Sequence, residues 1–179
     1  MASTRYSFAA MAMHWLAALL ILAAIAMGVV TTELSMSPTR LRLYNWHKWV
    51  GISVLALSGL RLLWRVLNPP PAGPPMARWQ QLAAHATHAG LYLLFFGVPL
   101  LGWAYSSASG FPVVAFGLLP LPDLVTPDKS LAQSLKAWHA NAALALGALV
   151  ALHVAAALKH HFVDRDGMLW RMVPGSPQR

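Results

Sequence analysis

The chain has 179 residues, of which 58% are hydrophobic and only 10% are charged. A water-soluble domain carries about a quarter charged residues, so this composition excludes an ordinary soluble protein. The net charge of +8 accompanies long apolar runs, which indicates a membrane rather than a nucleic acid as the partner. The absence of cysteine excludes disulfides, iron–sulfur ligation and covalent c-type haem attachment.

Four segments are apolar enough to cross a bilayer, which requires about 20 mainly apolar residues. We predict helices over residues 8–30, 44–67, 82–105 and 131–162, within a single domain over residues 1–179. The first segment is longer than the apolar core of about 7–15 residues in a signal peptide, so we interpret it as a retained helix. The predicted fold class is therefore all-α, an integral membrane four-helix bundle.

The connectors between these helices are rich in turn-forming residues. The stretch NPPPAGPP at residues 68–75 cannot continue a helix, because proline lacks the backbone donor. The stretch FPVVAFGLLPLP at residues 111–122 is apolar but too short to span. We expect it to lie at the membrane interface or to fold back over the helix ends.

The distribution of Lys and Arg predicts the orientation, because short cytoplasmic loops carry the excess of positive charge. With a cytoplasmic N-terminus, eight of these residues lie inside: Arg5, Arg61, Arg65, Arg78, Lys159, Arg165, Arg171 and Arg179. Five lie outside: Arg40, Arg42, Lys48, Lys129 and Lys136. We therefore predict a multi-pass protein of the bacterial inner membrane with both termini in the cytoplasm.

Four histidines fall at two depths of the predicted bundle. His139 and His153 are fourteen residues apart on the last helix, so both point the same way, about 21 Å apart along the axis. His14 lies at the depth of His153, and His47 lies at the depth of His139. Two imidazoles on facing helices are what a six-coordinate haem iron needs, so we predict two haems, one held by His14 and His153 and one by His47 and His139. The same four residues are the predicted metal ligands.

Other interpretations of these histidines are a zinc or copper site and a lipid-facing location. A zinc or copper ion needs its ligands clustered at one level, and two separated levels argue against it. Small residues beside a ligand make room for a flat ring between helices. Gly51 and Gly147 fit that role, although close helix packing explains them equally well.

The remaining histidines lie toward the predicted cytoplasmic side. A quinone has two carbonyls that must be hydrogen-bonded and protonated when it is reduced, and histidine suits both tasks. His88 and His160 are therefore predicted quinone contacts, with contact to lipid headgroups as the alternative. For His161 we favour a solvated or headgroup-facing location, and for His85 that interpretation is at least as good as a functional one.

Positive charge surrounds the outer pair of histidines. Lys48 adjoins His47, and Lys136 precedes His139 by about one helical turn. These ammonium groups could pair with haem propionates or steer a small anion toward the haem edge. A solvated cap against lipid headgroups is the other interpretation, and the residues alone do not decide among the three.

Several stretches together resemble the bacterial cytochrome b561 family of dihaem four-helix membrane proteins, which is related to the haem subunits of nickel–iron hydrogenases and formate dehydrogenases. The matching stretches are MHWLAALLI around His14, NWHKWVGI around His47, RLLWR after it, HATHAGLYLLFFGVPLLGW, FGLLPLP, and the last helix from KAWHANAAL to LHVAAALKHHFVDRDGMLWRM. The resemblance spans nearly the whole chain.

This resemblance implies haem ligands at His14, His47, His139 and His153, and quinone contacts at His88 and His160. A stand-alone member of the family oxidises superoxide at the outer face and passes the electrons to ubiquinone. On that basis we expect a superoxide:ubiquinone oxidoreductase with two haem b groups and with Lys48 and Lys136 as its catalytic residues. The alternatives are an electron-relay subunit for a periplasmic dehydrogenase and a cofactor-free proton-coupled transporter.

Overall fold

The computed structural model describes residues 5–73 and 76–175. Arg179 and the last two prolines of NPPPAGPP therefore lie outside the described residues. Four helices follow one another: α1 (Phe8–Glu33), α2 (Pro38–Leu67), α3 (Arg78–Ala108) and α4 (Lys129–Lys159). All four are long and apolar enough to cross a membrane. The predicted all-α membrane bundle is confirmed, with a minimal β-hairpin in one connector.

Three helices begin earlier than predicted: α3 starts at Arg78 rather than at residue 82, and α2 and α4 start where the chain supplies an N-terminal side-chain cap. The side chain of Ser37 accepts a hydrogen bond from the backbone N–H of Arg40 at 3.3 Å, so α2 starts at Pro38 rather than at residue 44. Asp128 caps α4 by accepting from the backbone N–H of Leu131 at 2.8 Å. The connector between α1 and α2 is therefore shorter than predicted.

The C-terminal end of α4 changes its helical type instead of running on to residue 162. A π-helical turn covers His160–Asp164. It ends at Arg165, whose φ of 52° is in the left-handed region. A 3₁₀ turn at Leu169–Met172 follows. These turns carry the two aspartates of the C-terminal segment to one side of His160.

The apolar connector before α4 folds back over the helix ends. Its strands β1 (Val114–Ala115) and β2 (Leu119–Pro120) pair antiparallel around a tight turn at Phe116 and Gly117, both with positive φ. Trp49 Nε1 donates to the Val114 carbonyl at 2.8 Å, which ties the hairpin to α2.

Two helical hairpins make up the bundle, since α1 packs chiefly on α2 and α3 chiefly on α4. They meet chiefly through a smaller α2–α3 contact. A small core lies between them, formed by Ile21, Val54, Leu91, Phe95, Val98 and Leu146. We call the end carrying the α1–α2 and α3–α4 connectors the loop end, and the opposite end the terminus end.

The outer surface of the bundle is strongly apolar. Leu93 and Leu144 are 74% and 75% exposed, and both lie in the middle of a predicted span. A surface of this kind is stable in the hydrocarbon of a bilayer, where apolar side chains have no water to avoid.

Candidate functional site

The histidine pair at the loop end joins α2 to α4. The ring centres of His47 and His139 are 6.0 Å apart, with the ring planes at 90°. Each Nδ1 lies 3.0 Å from a backbone carbonyl, that of Ala24 for His47 and that of Val98 for His139. A carbonyl can only accept, so Nδ1 donates in both rings and Nε2 keeps its lone pair for a metal.

A second pair at the terminus end joins α1 to α4. The ring centres of His14 and His153 are 6.2 Å apart, and the planes make an angle of 62°. The environment of this pair differs from that of the first pair. Arg61 Nη2 lies 3.2 Å from Nδ1 of His14, and the ring of His88 lies 5.4 Å from that of His153.

Both spacings fit a haem iron between the rings. A metal-bound imidazole nitrogen lies about 2 Å from the metal, and the ring centre lies about 1 Å further back, so two opposed rings on one iron have centres about 6 Å apart. The observed 6.0 and 6.2 Å match this value. The donor set fits as well, since paired neutral imidazoles are suited to iron in a haem.

The glycines near these pairs fall into two groups. At Gly51 and Gly147 an added Cβ would meet no atom within 4 Å, so no close contact in the bundle requires a glycine at either position. Gly28 and Gly102 escaped the sequence analysis. An added Cβ at Gly102 would lie 2.9 Å from Cε1 of His139, and one at Gly28 would lie 3.4 Å from Cε1 of His47.

Each of these overlooked glycines comes four residues after the carbonyl that accepts from a histidine. Gly28 follows Ala24, and Gly102 follows Val98, so each lies on the same helix face as the acceptor, one turn further on. The missing side chain lets the imidazole approach its carbonyl. The only sequence signal was a glycine inside each apolar run, which many membrane helices contain.

Lys48 and Lys136 both lie at the loop end, as predicted. The ammonium group of Lys48 donates to the carbonyl of Phe111 at 3.1 Å, which fixes its stem against the connector before α4. Lys136 is exposed on α4. Positive charge therefore lies at the loop end of the bundle, although neither ammonium group contacts the histidines of the loop-end pair.

His88 and His160, the predicted quinone contacts, have different partners in the structure. His88 contacts the terminus-end pair through His153. Nδ1 of His160 lies 2.6 Å from Oδ2 of Asp166 and 3.2 Å from Oδ2 of Asp164. Asp164 also binds the ammonium group of Lys159, at 2.8 and 2.6 Å from its two oxygens. His160 is thus held by carboxylates that the sequence analysis had not assigned to it.

The other two histidines have structural partners. Nδ1 of His85 lies 2.6 Å from the carbonyl of Gln81 within its own helix. The ring of His161 packs edge-on against Phe162 and Trp170, with centres 4.6 and 5.3 Å away. His161 is therefore partly packed rather than simply solvated.

Arg61 is the principal site residue that the sequence analysis missed. It was counted only as a cytoplasmic charge, yet it is partly buried and contacts both His14 and the face of Tyr92, 6.0 Å from the ring centre. The signal available was an arginine well inside an apolar run, since such residues are costly in a membrane and usually functional.

Paired imidazoles at two depths of a four-helix membrane bundle define a membrane cytochrome. The comparison with known families agrees: the family model described as prokaryotic cytochrome b561 matches residues 5–175. The chain belongs to this family, whose members are haem-binding membrane proteins of electron transfer.

Two named relatives are similar over almost their whole lengths. The chain is 34% identical to cytochrome b561 homolog 2 of Escherichia coli over 177 residues, which covers 94% of this chain and 91% of the relative. It is 33% identical to the probable superoxide oxidase CybB of Yersinia pestis over 176 residues, which covers 95% and 96%. The resemblance stated from the sequence is confirmed.

Proposed function

We propose that the chain holds two haem b groups, one between His47 and His139 and one between His14 and His153. The observation that carries this proposal is the spacing of about 6 Å between the ring centres in both pairs. Bound haem supplies reversible one-electron chemistry at its iron. His47 with His139, and His14 with His153, would each hold the iron from both sides, which would leave no position for oxygen to bind.

We further propose that the protein oxidises superoxide at the loop end and reduces ubiquinone at the terminus end. Each of two superoxide anions loses one electron and leaves as O₂, while one ubiquinone gains two electrons and two protons. The relative described as a probable superoxide oxidase supports the choice of donor. The excess of positive charge at the terminus end supports an orientation with that end in the cytoplasm, in the inner membrane of a bacterium.

The lysines at the loop end would act on the donor before any electron moves. Superoxide is a small anion, and Lys48 and Lys136 raise its concentration at the protein surface beside the His47–His139 pair. Lys48 is held in place by the Phe111 carbonyl, so its charge stays near this entrance.

We assign proton delivery to the quinone to residues at the terminus end. His160 with its Nδ1 bound to Asp166 presents Nε2 to a quinone carbonyl. The carboxylate of Asp166 orients the imidazole, and we assign to His160 the transfer of a proton from the cytoplasm to the reduced quinone oxygen. His88 is the proposed second contact, between the quinone and the terminus-end pair.

Mixing the purified protein with superoxide in a stopped-flow spectrometer tests the proposed donor. We expect the absorbance bands of reduced haem b to develop faster than superoxide dismutates spontaneously. Reduction no faster than dismutation would exclude superoxide as the donor while leaving the haem ligands untouched.

The double variant Lys48→Gln, Lys136→Gln should slow this reduction roughly 3- to 10-fold at low ionic strength, because two steering charges are lost. The difference from the unmodified protein should shrink at high salt, where the charges are screened. Arg78→Gln is the matched control, since it removes one charge from the opposite end. An equal slowing in the control would rule out local steering.

Asp166→Asn should slow ubiquinone reduction roughly tenfold, because His160 loses the carboxylate that orients it. Reduction of the haems by superoxide should keep its rate, since the change lies at the opposite end. Asp123→Asn at the loop end is the control and should leave quinone reduction unchanged. Normal quinone reduction in Asp166→Asn would contradict the role of His160.

A further inference from the structure

Arg61 is a cation inside a predicted membrane span. In residues 5–73 and 76–175, no carboxylate lies within ion-pair distance of its guanidinium. Its neighbours are the imidazole of His14 at 3.2 Å and the ring of Tyr92. Such a charge is expensive in this environment and calls for a functional explanation.

The partners of the imidazole Nδ1 atoms differ between the two histidine pairs. At the loop end, both Nδ1 atoms donate to backbone carbonyls, and this makes an imidazole a stronger electron donor to a metal. At the terminus end, neither His14 nor His153 has a carbonyl acceptor among the described residues. His14 faces arginine, which carries only donors, so Nδ1 accepts in this contact. For Nε2 of His14 to bind a metal, Nδ1 must carry the proton, and the guanidinium would then act on the site as a neighbouring positive charge and not through a hydrogen bond.

These differences have opposite effects on an iron that gains an electron. A strongly donating imidazole stabilises oxidised iron and so lowers its reduction potential. A nearby positive charge stabilises the reduced form, and it does so most in a region poor in water. We propose that the positive charge of Arg61, beside His14, makes the terminus-end haem the easier of the two to reduce.

This inference rests on the proposed ligand pairs, and it adds the direction in which electrons move between them. Electrons arriving at the loop end move toward the site of higher potential, at the terminus end, where the quinone is proposed to bind. The lysines at the loop end do not cancel this effect. Lys136 is exposed, so water and salt screen its charge. Lys48 is partly buried, and its ammonium group is held by the carbonyl of Phe111 rather than by either histidine.

An optical redox titration of the full-length haem-loaded protein tests the role of Arg61. In Arg61→Gln we expect the equilibrium constant for electron transfer from the loop-end haem to the terminus-end haem to fall about tenfold, which is ~59 mV for one electron. Arg61→Lys keeps the charge and should recover more than half of the difference. Arg65→Gln is the matched control, one turn along α2 and also over Tyr92, and should have a smaller effect.

Two results would overturn the inference. One is an unchanged separation of the two potentials in Arg61→Gln with both haems bound. The other is a fall in Arg65→Gln as large as that in Arg61→Gln, because the effect would then not depend on the place of Arg61 beside His14.

A second measurement does not depend on how Arg61→Gln folds. His139→Ala should leave only the terminus-end haem and His153→Ala only the loop-end haem, and the first variant should have the higher potential. An equal or lower potential in the first variant would overturn the inference. If instead either variant loses both haems or neither, the proposed ligand pairs fail and the role of Arg61 is judged from the intact protein alone.

Discussion

Replacing His153 with alanine is expected to reduce the haem content from two groups per chain to one. Alanine offers no lone pair, and His14 alone leaves one axial position of the iron without its imidazole. The remaining haem should be the one between His47 and His139, about 21 Å away along α4, too far for the change to disturb it. Haem per protein, measured as the pyridine haemochrome, gives the result directly.

His161→Ala is the matched control for this variant. His161 lies on the same C-terminal part of the chain but packs against Phe162 and Trp170, so both haems should be retained. Two haems per chain in His153→Ala would refute the pairing with His14. Absence of any haem spectrum in the unmodified protein would instead favour the transporter hypothesis.

Gly102→Ala is expected to lower the occupancy of the loop-end haem by more than half. The new methyl group would lie 2.9 Å from Cε1 and 3.1 Å from Nδ1 of His139. The ring is held by its hydrogen bond to Val98, so it must give up this bond or tilt away from His47. Crowding of this kind costs about 1–3 kcal/mol. Haem content and the low-spin signal in electron paramagnetic resonance measure the loss.

Gly28→Ala provides a graded comparison on the other side of the same site. Its methyl group would lie 3.4 Å from Cε1 of His47, which a small movement of the ring accommodates. Both variants gain the same helix propensity, about 1 kcal/mol, so a difference between them reports the contact with the ligand. Equal haem content in the two variants would contradict a role for Gly102 in placing His139.

The depth of each histidine follows from periodicity and helix length. The fourteen-residue spacing of His139 and His153 fixes their common direction on any straight helix, whatever it packs against. The structure brings His47 to the first of these residues and His14 to the second. That they ligate haem stays a prediction that the variants above test.

The hydrogen bonds that the proposed ligand histidines make through Nδ1 could not be predicted in the same way. Ala24 and Val98 accept hydrogen bonds through backbone carbonyls, which every residue possesses. Which carbonyl faces an imidazole depends on the rotation of α1 and α3 about their axes. The partnership of His160 with Asp166 likewise depends on a π-helical turn, whose boundaries leave no periodic signal.

The sequence by itself determined the class of protein, the four spans, the family and the two levels of histidine, because hydropathy, helical period and motif are properties of the chain alone. Only the tertiary structure decided that glycines lie against His47 and His139. It also decided that backbone carbonyls contact the loop-end pair, whereas Arg61 contacts His14 of the terminus-end pair. These features depend on how neighbouring helices are rotated and how closely they approach. Packing sets both quantities, and they distinguish the two ends of this protein.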